Sequence, residues 1–171
     1  TDSSYATSIS HIGGNIPIAI LRTFSKIYGL AGLRIGYCLS EPGIIALLNK
    51  ARPPFNTNRL AQIAASAAID DRAYIEQIRG INAEERARLY KELDRLHVDY
   101  YKSQTNFVLI RPDGYDVNEI CEYFMKSGII IRPLAGYSLE CYLRVTLGKH
   151  EDNTKFIELL ELYLCSRRKK H

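Results

Sequence analysis

The sequence predicts an α/β fold in two parts, and three observations carry that prediction. An apolar, β-branched run over residues 16–21 leads into a glycine-rich loop and a second apolar run. An alanine-rich helical pattern then extends over residues 58–96. The remainder alternates in the order β-α-β-β-α, which indicates a small α+β domain covering one face of a sheet.

Taken in order, the first strand is expected over residues 16–21 and the second over 34–39, ending at Ser40-Glu41-Pro42. Pro42 suits the first turn of a helix over 43–50, which stops at Arg52-Pro53-Pro54 because a residue before proline avoids the α region. The long helical pattern carries alanines at 61, 64, 65, 67 and 68 and an interruption near Asp70-Asp71. A strand over 106–111, a helix over 117–126, strands over 129–132 and 142–147 and a helix over 151–164 complete the chain. Asp116 and Gly128 are the expected caps of the middle helix. The domain boundaries that follow are 1–58, a connecting helical region 59–96, and a small domain 97–171.

Composition narrows the function classes. With 46% hydrophobic and 25% charged residues the chain has ordinary globular usage, and no apolar stretch reaches membrane-spanning length. A cytoplasmic protein without a membrane partner is the expectation. The net charge of +4 is matched by Arg167, Arg168, Lys169 and Lys170 alone, so it reads as a solvated basic tail and not as a nucleic-acid surface. Cys38, Cys121, Cys141 and Cys165 are widely separated, show no metal-ligand spacing with the four histidines, and are expected to be buried free thiols. No metal site is expected.

The run from Thr23 to Tyr37 carries the chemistry. Lys26 follows a strand, at the carboxyl end where open α/β sheets bind ligands. An amine there can form a Schiff base with an aldehyde. Thr23 and Ser25 supply hydroxyls, Arg34 supplies a planar fork of donors suited to phosphate, and Gly29, Gly32 and Gly36 permit sharp turns and close approach. Together they describe a pocket for pyridoxal phosphate.

At these residues the chain resembles the fold-type I pyridoxal-phosphate-dependent aminotransferases, and within them the histidinol-phosphate aminotransferase group. Further matching segments follow in family order: Pro54-Phe55-Asn56-Thr57-Asn58, Thr105-Asn106-Phe107-Val108, the stretch from Gly128 to Arg132-Pro133, and Leu143-Arg144-Val145-Thr146-Leu147-Gly148. Ile27 departs from the family's small residue after the lysine and should crowd the site slightly. The resemblance implies that residues 1–58 end a large cofactor domain, a mainly parallel sheet with helices, before the small C-terminal α+β domain. The family polypeptide is much longer, so this looks like a C-terminal portion, inactive alone. The strand carrying the family's Asp-Glu-Ala-Tyr motif is expected before Thr1; Asp2-Ser3-Ser4-Tyr5 imitates it and reads as a surface loop.

The resemblance also implies roles. Lys26 would hold the cofactor and shuttle the proton between substrate and cofactor, Arg34 with Ser25 and Thr23 would anchor the cofactor phosphate, and Arg144 would take the substrate anion. Arg132 resembles a second substrate arginine. Internal ion pairing with Glu140 or Glu122 is the competing account of both arginines. The implied reaction is transamination of L-histidinol phosphate with 2-oxoglutarate by a homodimer, using small-molecule amino donor and 2-oxo acid. A related aromatic amino-acid aminotransferase, a threonine-phosphate decarboxylase, or a catalytically inactive fragment are the alternatives. Among lesser features, Asn58 and Asn56 read as caps or mouth residues, Asn106 as a turn residue or a neighbour of the substrate site, and Tyr28 as the tyrosine worth testing.

Overall fold

The computed structural model describes residues 7–168, so Asp2, Tyr5, Lys169 and Lys170 lie outside the described residues. The chain divides into two compact units, Thr1–Arg79 and Gly80–His171, with the division inside one long helix.

In the first unit, β1 (Ile20–Thr23) pairs antiparallel with β2 (Gly36–Leu39), Ile20 opposite Leu39 and Thr23 opposite Gly36. β1 begins later than the apolar run suggested. Pro17 has no N–H for a ladder, and the Ile18 carbonyl accepts the Ser40 hydroxyl at 2.6 Å instead. β2 also begins late, because Arg34 has φ 54° and ψ 53°, a left-handed conformation that no strand accommodates. α1 (Pro42–Ala51) starts at its proline, and α2 (Arg59–Asp70) is capped by Asn58, whose Oδ1 accepts the Ala61 N–H at 2.8 Å. Asp71 separates α2 from α3 (Arg72–Leu96) and accepts the Tyr74 N–H at 3.0 Å, so the interruption is a cap rather than a kink. Burial here is sparse. Phe24, Ala61 and Ala65 are buried, while Leu21, Leu47, Phe55, Leu60 and Ile63 stand exposed.

The second unit is a four-stranded antiparallel sheet in the order β3-β4-β6-β5, made of Asp99–Tyr101, Phe107–Arg111, Leu139–Thr146 and Arg132–Leu134 respectively. Strand alternation separates its two faces. Val108, Ile110, Leu143 and Val145 point to the core, where they meet Leu89 and Leu93 of α3, Ile120 and Phe124 of α4 (Val117–Lys126), and Phe156 and Leu160 of α5 (His150–Arg168). The Phe124 and Phe156 rings stack with centroids 5.1 Å apart. Asp116 caps α4 by accepting the Asn118 and Glu119 N–H groups at 2.7 and 3.1 Å.

Two expectations are corrected. None of the cysteines is buried: Cys141 and Cys165 are exposed and Cys38 and Cys121 half-buried, because Cys141 lies in β6 before Leu143, the first residue of that strand to enter the core, and Cys165 lies on the solvent side of α5. Nor is the whole basic tail solvated. Arg167 pairs with Glu119 at 2.7 Å and lies over the Tyr163 ring, which fastens the end of α5 to α4.

β5 and β6 are joined by a short 3-10 turn, Ala135–Tyr137, which ends on Ser138 at φ 57° and ψ 37°. A serine pays a steric penalty there that glycine does not. Ser138→Gly is therefore expected to stabilise the unit by about 1 kcal/mol. A thermal melt should show Tm raised by about 2–4 °C; an unchanged Tm would refute the strain.

Candidate active site

The loop between β1 and β2 is closed at its neck, where the Phe24 N–H donates to the Ile35 carbonyl at 3.2 Å. Within it the Gly29 N–H donates to the Lys26 carbonyl at 2.9 Å and the Leu30 N–H to the Phe24 carbonyl at 3.0 Å. Phe24 roots the loop: it is buried, with the Tyr28 ring centroid 4.8 Å away and that of Tyr37 at 5.7 Å. Tyr28 is thus held as a packing residue. Two glycines are obligatory. A Cβ on Gly36 would meet the Arg22 carbonyl at 2.6 Å, and Gly29 has φ 70° with the Tyr74 hydroxyl 3.2 Å from where its Cβ would stand.

On this frame the four residues singled out from the sequence fall on one short stretch. The Thr23 hydroxyl donates to Ser25 Oγ at 2.8 Å and accepts the Ser25 N–H at 3.0 Å, so the two hydroxyls form one polar corner. Arg34 Nη1 donates to the Ala31 carbonyl at 2.8 Å, which leaves the rest of the guanidinium without a carboxylate among the described residues. Lys26 is exposed and likewise has no acidic partner among them. Residues 15–40 contain Arg22, Lys26 and Arg34 and no aspartate or glutamate. A site of two hydroxyls, a free guanidinium and an amine, with no acid to neutralise them, fits a phosphorylated aldehyde such as pyridoxal phosphate.

An open cleft of about 630 Å³ lies alongside, lined by Ile35, Gly36, Asn49, Arg52, Phe55 and Asn56 among others. It borders the residues after Arg34 and does not include Lys26, Ser25 or Thr23. The sequence did not single out Asn49 or Arg52, whose only signal was their position beside Pro53-Pro54.

In the second unit, Arg132 of β5 is the direct cross-strand partner of Arg144 of β6. Both occur on the sheet face opposite the core, with Leu109 the β4 partner of Arg144. Neither arginine pairs with a carboxylate among the described residues. Glu122, offered as a partner, is taken by Lys126 at 2.7 Å, and Glu140 forms no ion pair with either. Arg144 Nε is buried with no hydrogen-bond partner among the described residues, an unusual state for a charged donor. The arginines are backed by rings: the Arg144 Cζ lies 5.1 Å from the Phe107 centroid and the Arg132 Cζ 5.7 Å from that of Tyr137.

The family described as aminotransferase class I and II matches residues 1–160. The chain belongs to that family. The histidinol-phosphate aminotransferase 1 of Nitrosococcus oceani is 41% identical over 165 residues, covering 95% of this chain and 44% of that protein. The crystal structure of histidinol-phosphate aminotransferase from Sinorhizobium meliloti in complex with pyridoxal-5'-phosphate superposes with a TM-score of 0.82 at 30% identity, over 92% of this chain and 44% of that one. L-threonine-O-3-phosphate decarboxylase from Porphyromonas gingivalis gives a TM-score of 0.81 at 26% identity, over 95% and 51%. This aminotransferase chain thus has the α/β fold of pyridoxal-phosphate enzymes and spans about half the length of the relatives it matches.

A polar knot around buried Glu85 and Asn153 ties this aminotransferase chain's last helix to α3. Glu85 accepts from Arg88 Nη2 at 2.8 Å and from Asn153 Nδ2 at 2.7 Å, and its other oxygen meets His150 Nδ1 at 2.7 Å. Asn153 Oδ1 accepts the Gly148 N–H at 2.9 Å, which fixes the corner after β6. Burial by itself would raise the Glu85 pKa, but the hydrogen bonds from Arg88, Asn153 and His150 outweigh it and hold the carboxyl down to about 2. Sequence gave no sign of this knot, since its members are scattered over 69 positions.

Proposed function

We propose that this chain is the lysine-bearing portion of a pyridoxal-phosphate-dependent aminotransferase that moves the amino group of L-histidinol phosphate to 2-oxoglutarate, giving imidazole acetol phosphate and L-glutamate. The observation that carries the reading is the cross-strand pairing of Arg132 with Arg144, two cations with no acid on either among the described residues. Like charges placed opposite each other weaken a sheet, so an anionic ligand is what gives this arrangement a use. The Nitrosococcus relative supports the choice of substrate, and Lys26 with its hydroxyls supports the choice of cofactor.

Each residue then has a task. Arg34 would hold the cofactor phosphate by its fork, with the Thr23 and Ser25 hydroxyls as further donors. Lys26 would hold the cofactor through its amine and, with that amine free, would serve as the base that takes the proton from the substrate α-carbon and as the acid that gives it back. The cofactor supplies the electron sink when bound. Arg144 and Arg132 orient the substrate by its anionic groups. The intact enzyme is proposed to be a cytoplasmic homodimer, with residues 1–58 ending the large domain, 59–96 connecting and 97–171 forming the small domain; the bare apolar side chains of Leu47, Phe55, Leu60 and Ile63 support a covering partner surface.

The test is an assay of the intact enzyme with L-histidinol phosphate and 2-oxoglutarate, following glutamate and carbon dioxide. Glutamate formation is expected. Carbon dioxide release from L-threonine phosphate, with no glutamate from histidinol phosphate, would move the assignment to the decarboxylase reading favoured by the Porphyromonas structure.

A further inference from the structure

We propose that Phe107 and Tyr137 are positioning residues that hold Arg144 and Arg132 as a two-arginine clamp for an oxyanion, each ring taking a guanidinium by its face. The inference rests on the anion-binding reading of these arginines given above, and adds the means by which the pair is kept open.

Arg132 and Arg144 are register partners, so their Cβ atoms stand about 4.5–5.5 Å apart on one face. Two cations that close need something to oppose their repulsion. An ordinary sheet would use a carboxylate, yet a carboxylate would also occupy the guanidinium's in-plane N–H donors. An aromatic ring does not. It attracts the cation through its face and leaves the edge donors free for a ligand.

The geometry has this form at both arginines. The Arg144 Cζ is 5.1 Å from the Phe107 centroid, and Arg144 Nε is buried with no acceptor among the described residues, a donor desolvated in advance of its partner. The Arg132 Cζ is 5.7 Å from the Tyr137 centroid, and among the described residues only its Nη2 is engaged, donating to the Tyr137 hydroxyl at 3.3 Å. The short turn ending on left-handed Ser138 is what brings Tyr137 back to Arg132. A contrast on the same sheet shows the alternative. Arg111 also lies near a ring, 5.9 Å from the Tyr142 centroid, but its Nε is bound to Asp113 Oδ1 at 2.7 Å. A carboxylate already takes its Nε, and it is not part of the clamp.

The experiment is an NMR titration of the 171-residue chain, observing the arginine Nε–Hε resonances, with inorganic phosphate in one arm and glutarate in the other. In the unsubstituted chain the Arg132 and Arg144 Hε signals are expected upfield, under ring-current shielding, and to move on titration; the tighter arm identifies phosphate or carboxylate as the anion source. Phe107→Leu and Tyr137→Leu should each collapse the upfield shift of their own arginine and raise Kd by about 2- to 30-fold. Tyr137→Phe and Phe107→Tyr, which keep the rings, should restore most of both signals. Tyr142→Leu should change neither. Backbone dispersion of the core residues confirms that each variant is folded. If Arg132→Gln or Arg144→Gln abolishes binding while both leucine variants bind as the unsubstituted chain does, the positioning proposal is overturned and the two-arginine reading survives. If the glutamine variants bind normally, the reading fails and the proposal falls with it.

Discussion

Substituting Lys26 by alanine is expected to abolish both covalent attachment of pyridoxal phosphate and transamination. Loss of general acid–base catalysis alone removes about 10²–10⁴-fold in rate, before the loss of the cofactor's anchor is counted. The structure makes the outcome specific. No other lysine or histidine occurs between Asn15 and Ser40, so no neighbouring amine can substitute. Borohydride reduction of the pyridoxal phosphate-treated intact enzyme followed by peptide mass mapping checks the attachment, and exogenous methylamine checks the proton transfer. An adduct retained within residues 20–40 of Lys26→Ala would remove Lys26 from the role. Arg34→Gln should leave attachment possible while weakening cofactor retention, because it removes charge from the phosphate anchor and leaves the amine in place.

The second large effect concerns stability. Glu85→Ala should destabilise the second unit by about 3–5 kcal/mol, since it leaves Arg88 and Asn153 without the acceptor they were folded around. The pH dependence has a definite sign. A carboxyl held at about 2 against an ordinary 4.5 contributes stability that is complete above 4.5 and lost as pH falls toward 2. The loss amounts to about 3 kcal/mol by linkage. Chemical denaturation at pH 7, 4 and 2.5 measures it. Glu85→Gln, which does not titrate, should flatten that acid limb; an unaltered limb would assign it to other carboxylates. Glu122 and Glu161 are also held low by Lys126 and Arg95, but both sit in solvent, where ion pairs add little.

Much of this was legible in the chain. The helices expected over 43–50, 117–126 and 151–164 from proline, aspartate and periodicity are found over 42–51, 117–126 and 150–168. So is the interruption at Asp71, because a short acidic side chain competes for backbone N–H groups. Strand limits were less legible, since they depend on pairing: β1 was set by its neighbour β2, and β2 by a left-handed Arg34 that no propensity foretells. For the site, local residue types pointed to Lys26 and Arg34, while Arg144 was singled out only by the resemblance of its segment to the family; their roles are proposals. What could not be read was anything that depends on how strands pair, helices pack or a turn folds back. Phe107 beneath Arg144, Tyr137 beneath Arg132, and Glu85 with Asn153 are facts of register and packing, invisible until the sheet is assembled.

The alternation along β6 joins folding and function more tightly than either requires alone. Leu143 and Val145 enter the core while Arg144 between them faces the other way, opposite Arg132. A slip of one residue would turn a cation inward and two aliphatic side chains outward. No misregistered chain could stay soluble and merely lose its ligand; it would lose the core in the same step. Quality control that removes unfolded protein therefore also screens this site, and variation along β6 is expected to be tolerated only where it respects both faces at once.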